Sequence, residues 1–444
     1  MRFRSTRAPT NDAATHSFRE AVFQGLAPDG GLYHPVETPD LRQPLENLPG
    51  PADFVTVAEE TASRLLSPEL DGSAVRRIVH RAFPFSPKLR RIDDSRLLLE
   101  LFHGPSYAFK DFGAGFLACC MEELLRSDDR RAVVLVATSG DTGSAVARAF
   151  YGKENIQVVI LYPSGRVSHL QEKQLTVLGK NITSLEVAGA FDDCQRMVKE
   201  AFMDPELRRR LTLTSANSIN LGRLIPQAFY YLYAWLLMRP IPAERWFFCV
   251  PSGNFGNLTA GVYAWRWGLP VGGFVAATNI NDVVPEYLEV GTFAPRPSHR
   301  TLSNAMDVGN PSNFERLQAV FGGDWRRMAA EIRGRVVTDE ETLKTMEEVK
   351  REFDLFLCPH TAVGWLAAAR ELQTSSGPQK GEGEQAVILA TAHPAKFRET
   401  VKDATGCEPE LPEGLKEALE LPKRSIPMEA DLAALKRLLL ERFG

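Results

Sequence analysis

Through the middle and later parts of the chain, short apolar runs alternate with windows in which apolar positions recur every three or four residues. The runs fall at 97–102, 132–137, 157–161, 182–187, 246–250, 274–277 and 386–389. Short runs that are continuously apolar predict buried strands. Amphipathic helical windows follow several of them, at 142–151, 191–202, 257–267 and 395–401. Strand, turn and helix in repetition predict an α/β protein with a mostly parallel sheet.

Residues 1–95 have a different texture. They are rich in proline and turn residues, such as Asp29-Gly30-Gly31 and Pro49-Gly50-Pro51, with one helical stretch near 55–66. This part is expected to form an N-terminal accessory domain. Residues 326–350 are charged and helix-like, which predicts exposed helices. Residues 374–384 carry Ser375, Ser376, Gly377, Pro378, Gly381 and Gly383, and predict a surface loop before the last core strand. A last helix is expected over 428–443, packed on the outside.

Composition narrows the function. Lysine and arginine total 52 against 56 acidic residues, a net charge of −4. No global field recruits nucleic acid or a membrane surface, so an anionic substrate must be held by a local cluster. The 6 cysteines include no C-x-x-C pair, which argues against disulfides or a zinc site and for a reducing compartment. The apolar runs are too short to cross a bilayer, and no apolar stretch follows the early Arg2, Arg4 and Arg7 as in a secretory signal. A cytoplasmic location is expected.

Candidate chemistry centres on Lys110, in the string Phe102-His103-Gly104-Pro105-Ser106-Tyr107-Ala108-Phe109-Lys110-Asp111-Phe112-Gly113. Apolar neighbours disfavour the ammonium form, lowering the pKa and freeing the amine to form an imine. An isolated lysine of this kind is more often a snorkelling side chain. Two strand-to-helix turns change that balance. One is Ser252-Gly253-Asn254-Phe255-Gly256-Asn257, whose backbone N–H groups at a helix start favour a phosphate dianion. It matches neither a dinucleotide fingerprint nor a Walker loop. The other is Thr138-Ser139-Gly140-Asp141-Thr142-Gly143, a hydroxyl-rich helix start able to bind a carboxylate, which also reads as an ordinary helix cap. Asn217, Ser218 and Arg223 form a further polar stretch, where the arginine can pair with a phosphate or simply lie on the solvated side of a helix through 229–237. Thr391, at the end of the last strand, offers a hydroxyl to a pyridine nitrogen, and His393 two residues on reads as structural.

These strings resemble the threonine synthases, fold-type II enzymes dependent on pyridoxal 5′-phosphate, in their longer bacterial and fungal form. The similarity also runs through Asp29-Gly30-Gly31-Leu32-Tyr33, Leu170-Gln171-Glu172-Lys173, Ser215-Ala216-Asn217-Ser218-Ile219-Asn220, Ala277-Thr278-Asn279 and Leu302-Ser303-Asn304-Ala305-Met306-Asp307-Val308. It spans about residues 20–400 in the family's order. One departure is Ser106-Tyr107, where many relatives carry a threonine and a small aliphatic residue.

The resemblance implies a tryptophan synthase β-like fold with a large lobe (96–122 and 226–444) and a small lobe (123–225) after the N-terminal domain. It implies that Lys110 is joined covalently to pyridoxal 5′-phosphate. Gly253, Asn254, Phe255, Gly256 and Asn257 would hold the cofactor phosphate, and Thr391 would contact its ring nitrogen. Ser139, Gly140, Asp141 and Thr142 would surround the substrate α-carboxylate, and Asn217, Ser218 and Arg223 its phosphate. The implied substrate is O-phospho-L-homoserine, converted with water to L-threonine and phosphate by elimination at Cγ and hydration at Cβ. A monomer or weak homodimer is expected. The alternatives are a phospho-lyase releasing 2-oxobutyrate, a dehydratase, and a catalytically silent metabolite-binding relative. A dehydratase has no need of a phosphate site, and retention of Lys110 with Thr391 argues against a silent protein.

Overall fold

The computed structural model describes residues 1–9, 14–50, 52–126, 130–138, 140–375 and 383–444. Two parallel sheets organise them. The larger has six strands in the order Ile332–Val336, Phe274–Thr278, Trp246–Pro251, Gln385–Ala390, Arg96–Glu100 and Lys88–Arg91, and only the last is antiparallel to its neighbour. The smaller has five, all parallel: Ile426–Glu429, Ile182–Ala188, Ile156–Pro163, Ala132–Ala137 and Thr212–Ser215.

The continuous apolar runs are explained by what covers the sheets. Every residue of Ala132–Ala137, Trp246–Pro251 and Gln385–Ala390 is buried. Successive side chains point to opposite faces, so each strand serves two cores. Phe248, Val250, Val387 and Leu389 join the central core, while Phe247, Cys249, Ala386 and Ile388 pack beneath the helix Pro359–Ser375 side. In the small sheet Ala132, Val134 and Val136 join the same central core, and Val133, Leu135 and Ala137 face another that includes Leu435 and Leu439.

The helix Lys110–Leu125 lies within the central core, buried on most sides. Gly113 permits its close packing, since a Cβ there would lie 2.7 Å from the Arg223 carbonyl oxygen. That contact sets the distance between the segment bearing Lys110 and the one bearing Arg223. The N-terminal region shares the central core. Phe54, on the helix Phe54–Leu66, packs edge-on against Phe112 with ring centroids 5.3 Å apart, two residues from Lys110.

All seven expected strands are present, each within two residues of its expected ends. The charged stretch 326–350 differs from expectation: a strand, Ile332–Val336, separates the helices Trp325–Glu331 and Asp339–Phe353. Its arginines hid it. Arg333 and Arg335 both pair with the buried Glu371, at 3.0 and 2.6 Å, which lets a charged segment lie at a sheet edge. The last helix begins at Leu432, because Met428 belongs to a strand paired with Val187. The end of the chain therefore returns to the small sheet, across the boundary expected at residue 225. The window 395–401 divides into a 3₁₀ turn, Pro394–Phe397, and a helix, Arg398–Thr405. Of the loop expected at 374–384, residues 374 and 375 end a helix and 376–382 lie outside the described residues.

Arg316 ties the N-terminal region to the core. It is fully buried and donates to the Tyr33 carbonyl (2.8 Å), the Asn313 Oδ1 (2.6 Å) and the Ile219 carbonyl (2.7 Å). Arg316→Met leaves those acceptors unpaired and should cost about 3 kcal/mol of stability, read as a lower midpoint in chemical denaturation with an unchanged slope.

Candidate active site

Parallel strands present their carboxyl ends on one side of each sheet, where ligands bind in such folds. The site residues gather there. The chain passes from Arg96–Glu100 through a turn, closed by the Tyr107 N–H donating to the Gly104 carbonyl at 3.0 Å, into the helix at Lys110. Tyr107 takes a left-handed φ of 58°, which costs a non-glycine residue about 1 kcal/mol. Asp111 holds the turn, its Oδ2 accepting from the Ser106 N–H at 2.8 Å. Antiparallel bonds dock the turn on the last strand's exit: the Phe109 N–H donates to Thr391 (2.9 Å) and the His393 N–H to Tyr107 (3.0 Å). Thr391 thus lies beside the Lys110 segment.

The Lys110 ammonium lies 3.6 Å from Asp141 Oδ2 and over the Phe109 ring, 4.8 Å from its centroid. Burial pushes its pKa down, outweighing the pull of Asp141, and the nearby charges of Lys396 and Arg223 push the same way. Asp141 is buried too, which alone would raise its pKa. The ammonium groups of Lys396 and Lys110 instead hold it well below the usual carboxylate range. Lys396 Nζ lies 2.8 Å from Asp141 Oδ1, and Gln171 donates to the same oxygen at 3.1 Å.

Asp141 opens the helix Asp141–Phe150. Gly140 before it has φ 146°, and a Cβ there would fall 2.7 Å from the Gln171 side chain, so only glycine fits. Thr138 Oγ1 accepts from the Gly140 and Gly143 N–H groups at 3.0 and 2.9 Å. Its hydroxyl is occupied in shaping the turn. The helix start suits a carboxylate through its N–H groups, whereas the Asp141 side chain is engaged by cations and would repel one. Thr142 follows in the first turn, and Ser139 lies outside the described residues.

The other turn leaves the strand Trp246–Pro251 and enters the helix Gly256–Arg266 through Phe255, at φ 57°. Gly253 is pressed against the loop that contains Met306, whose Cα would lie 2.6 Å from a Cβ at that position. The Asn257 carboxamide oxygen accepts from Tyr230 (2.6 Å) and Tyr231 (2.8 Å), and its buried NH₂ has no partner among the described residues. A free amide donor beside a helix N-terminus fits a phosphate. Asn254 is committed differently from expectation. It donates to Ser218 Oγ at 2.7 Å and accepts from the Ser312 N–H at 2.6 Å, joining the two stretches expected to hold separate phosphates.

Arg223 is buried, donates to the Ala216 carbonyl at 2.6 Å, and keeps a buried Nε with no partner among the described residues. Burial lowers its pKa to about 10, so it stays charged at neutral pH. Asn217 donates to the Ala137 carbonyl at 3.3 Å and leaves its oxygen unpartnered. Buried unpartnered donors on Arg223 and Asn257, a half-buried amine prone to lose its proton, and two glycine turns fit a phosphorylated aldehyde and an anionic substrate.

Two residues of the site carried no readable signal. Lys396 follows His393-Pro394-Ala395 as an ordinary charge in an amphipathic window. His360, on the helix Pro359–Ser375, sits next to the Met306 loop. Its Nε2 accepts from the Ala305 N–H at 3.2 Å, and burial pushes its pKa down to about 4, so the ring is neutral with its proton on Nδ1. His393 caps the turn that follows it, its Nδ1 accepting from the Ala395 N–H at 3.2 Å. Among the described residues no cluster of side chains suits a metal ion.

Comparison with known proteins agrees with this geometry. Residues 86–391 match the pyridoxal-phosphate dependent enzyme family, residues 2–83 the threonine synthase N terminus, and residues 361–439 the threonine synthase C-terminal family. The threonine synthase of Escherichia coli K12 is 42% identical over 425 residues, covering 96% of each chain. The crystal structure of threonine synthase from Escherichia coli superposes with a TM-score of 0.88 at 40% identity, covering 99% of this chain and 100% of that one. The structure of pyridoxal phosphate-bound threonine synthase from Brucella melitensis gives a TM-score of 0.91 at 35% identity, covering 100% of this chain and 99% of that one.

The buried histidine predicts a pH dependence. His360 titrates near 4 in the fold and near 6.5 when unfolded, so below about 6.5 the unfolded chain binds more protons. Its contribution to stability is lost as pH falls from about 6.5 to about 4, at up to about 1.4 kcal/mol per pH unit. His360→Gln should make stability measured by denaturation across that window shallower by about one proton.

Proposed function

The chain belongs to the threonine synthase family, and from that premise we propose that Lys110 is the amine that binds pyridoxal 5′-phosphate and moves protons on the substrate. The reaction converts O-phospho-L-homoserine and water to L-threonine and phosphate. One observation carries the assignment of the site: a half-buried lysine, its pKa lowered, that faces the Asp141 carboxylate at 3.6 Å and feels the positive charge of the buried Arg223.

When bound, the cofactor supplies an aldehyde for the substrate amine and a conjugated ring that accepts electrons from Cα. The chain's residues do the rest. The helix start at Gly256, with Gly253, Phe255, Asn257 and the backbone of Asn254, would hold the cofactor phosphate, and Thr391 would lie against the ring nitrogen. A hydroxyl there, in place of a carboxylate, would not hold a proton on that nitrogen. The helix start that follows Gly140, at Asp141 and Thr142, would receive the substrate α-carboxylate through its N–H groups. Arg223, Asn217 and Ser218 receive its phosphate and orient Cγ for loss of that group. Asn254 bonds to Ser218, so cofactor and substrate phosphates are clasped by one connected set of side chains. Lys110 Nζ takes the Cα proton and serves the exchange at Cβ. One Cβ–H bond and the Cγ–O bond break, the electron pair of the latter leaving on phosphate; Cγ gains a proton, the oxygen of water bonds to Cβ while its spare proton ends on the phosphate, and Cα regains its proton. Low pKa suits an amine that must both accept and return protons near neutral pH.

The lobes follow the sheets, 96–122 with 226–425 around the six-stranded one and 123–225 with 426–444 around the five-stranded one, after residues 1–95. All 6 cysteines are free and no helix among the described residues is long and apolar enough to cross a membrane, which supports the cytoplasm as the location. The exposed large apolar side chains, Met203, Val290 and Leu421 among them, fall on different elements, in keeping with a monomer or weak homodimer.

Incubation with O-phospho-L-homoserine should release phosphate and L-threonine in equal amounts, read by phosphate assay and amino-acid chromatography. Phosphate with 2-oxobutyrate would instead identify a phospho-lyase, and no phosphate at all would remove the substrate assignment. Lys110→Ala should abolish turnover while the chain remains folded. Arg223→Gln should lower kcat/KM about 10- to 100-fold while leaving the cofactor's visible absorption in place.

A further inference from the structure

Two lysines, one buried and one half-buried, compete for one carboxylate. Lys396 is fully buried, 2.8 Å from Asp141 Oδ1 and 2.8 Å from the Ser106 carbonyl oxygen. Lys110 keeps 15% of its side-chain exposure and reaches the other Asp141 oxygen only at 3.6 Å. Among the described residues, no other carboxylate lies within ion-pair distance of either amine. A single carboxylate fully compensates a single ammonium. The shorter contact, the second acceptor and the absence of solvent all favour Lys396 as the one compensated.

We propose that Lys396 is a positioning residue for the reaction: it takes up the Asp141 carboxylate, so that Lys110 is left without a full counter-ion and works as a free amine. This rests on the reading of Lys110 given above. The surrounding groups reinforce the asymmetry. Arg223 adds positive charge from the segment Leu221–Leu224, and His360, from the helix behind, is neutral. Asp111, on the Lys110 helix, is pushed up to about 6 by burial and is turned toward the Ser106 N–H. His393, before Lys396, is neutral, and the Cys358 thiol near Asp141 is pushed up by burial and uncharged. Lys396 also joins three parts of the site: the 3₁₀ turn Pro394–Phe397, the Ser106 turn and the helix at Asp141. It therefore fixes where the carboxylate stands relative to Lys110.

Removing Lys396 should return Asp141 to Lys110 as its only cationic partner, beside the Gln171 amide, and hold Lys110 as an ammonium. The test is trace acetylation of Lys110 with acetic anhydride in the full-length chain after cofactor removal, followed by peptide mass spectrometry across pH. The midpoint reports when the amine becomes free. In Lys396→Met it should rise by about one pH unit or more, a tenfold loss of free amine at a fixed lower pH. Lys396→Gln, which still offers donors to Asp141 and Ser106, should show the same rise if the methionine variant does not fold. Lys396→Arg keeps the charge and should keep the wild-type midpoint. An unmoved midpoint in the folded neutral variants overturns the proposal, as does an equal rise in Lys396→Arg. If Lys110→Ala retains turnover, the reading of the site falls; if it is inactive while the midpoint stays put, only the role of Lys396 falls.

Discussion

The Asp141 carboxylate is the anion around which the site is arranged. It is buried, so it persists as a charge only because cations and an amide surround it. Lys396 and Gln171 share one oxygen and Lys110 faces the other. That geometry joins the start of a small-sheet helix to a turn that follows the last large-sheet strand. The two sheets are thus tied by charge at the proposed reacting centre, and Lys110 owes its lowered pKa chiefly to burial in the same place.

The packing that puts these groups together is mostly apolar and close. Gly113 brings the Lys110 helix against the Arg223 backbone, and Gly253 brings its turn against the Met306 loop. Behind that loop, Asp307 accepts from the Thr301 hydroxyl (2.7 Å) and from the Asn279 amide (2.9 Å), so the wall of the site is fixed by its own polar network. The N-terminal region adds Phe54 against Phe112, and Arg316 reaches from beneath to the Ile219 carbonyl. Each support meets a segment that carries a proposed substrate or cofactor contact, which gives the N-terminal region a role in holding the site's shape.

The sequence was most legible where one physical cause dominated. Runs buried on both faces, such as 132–137 and 386–389, marked the strands within two residues. The lysine in its apolar string and the glycine turns marked the chemistry because their meaning is local. Legibility failed where a distant partner changes a residue's meaning. Arg333 and Arg335 looked like solvated helix charges until Glu371 accounted for them, so the strand they sit in went unseen. Lys396 looked like any lysine of an amphipathic helix, because only the fold brings it to Asp141. Asn254 and Ser218 were assigned to different phosphates, and only their 2.7 Å bond shows them as one unit. The place of Asp141 at a helix start speaks only for its backbone N–H, and only the fold shows that its side chain meets Lys396 and Lys110.

The most direct test of the account is chemical reduction of the cofactor-loaded protein with borohydride, followed by peptide mapping of the trapped pyridoxyl group. The account predicts a single adduct, on Lys110, with Lys396 unmodified although it lies on the same carboxylate. An adduct on Lys396, on any other lysine, or on none would contradict it.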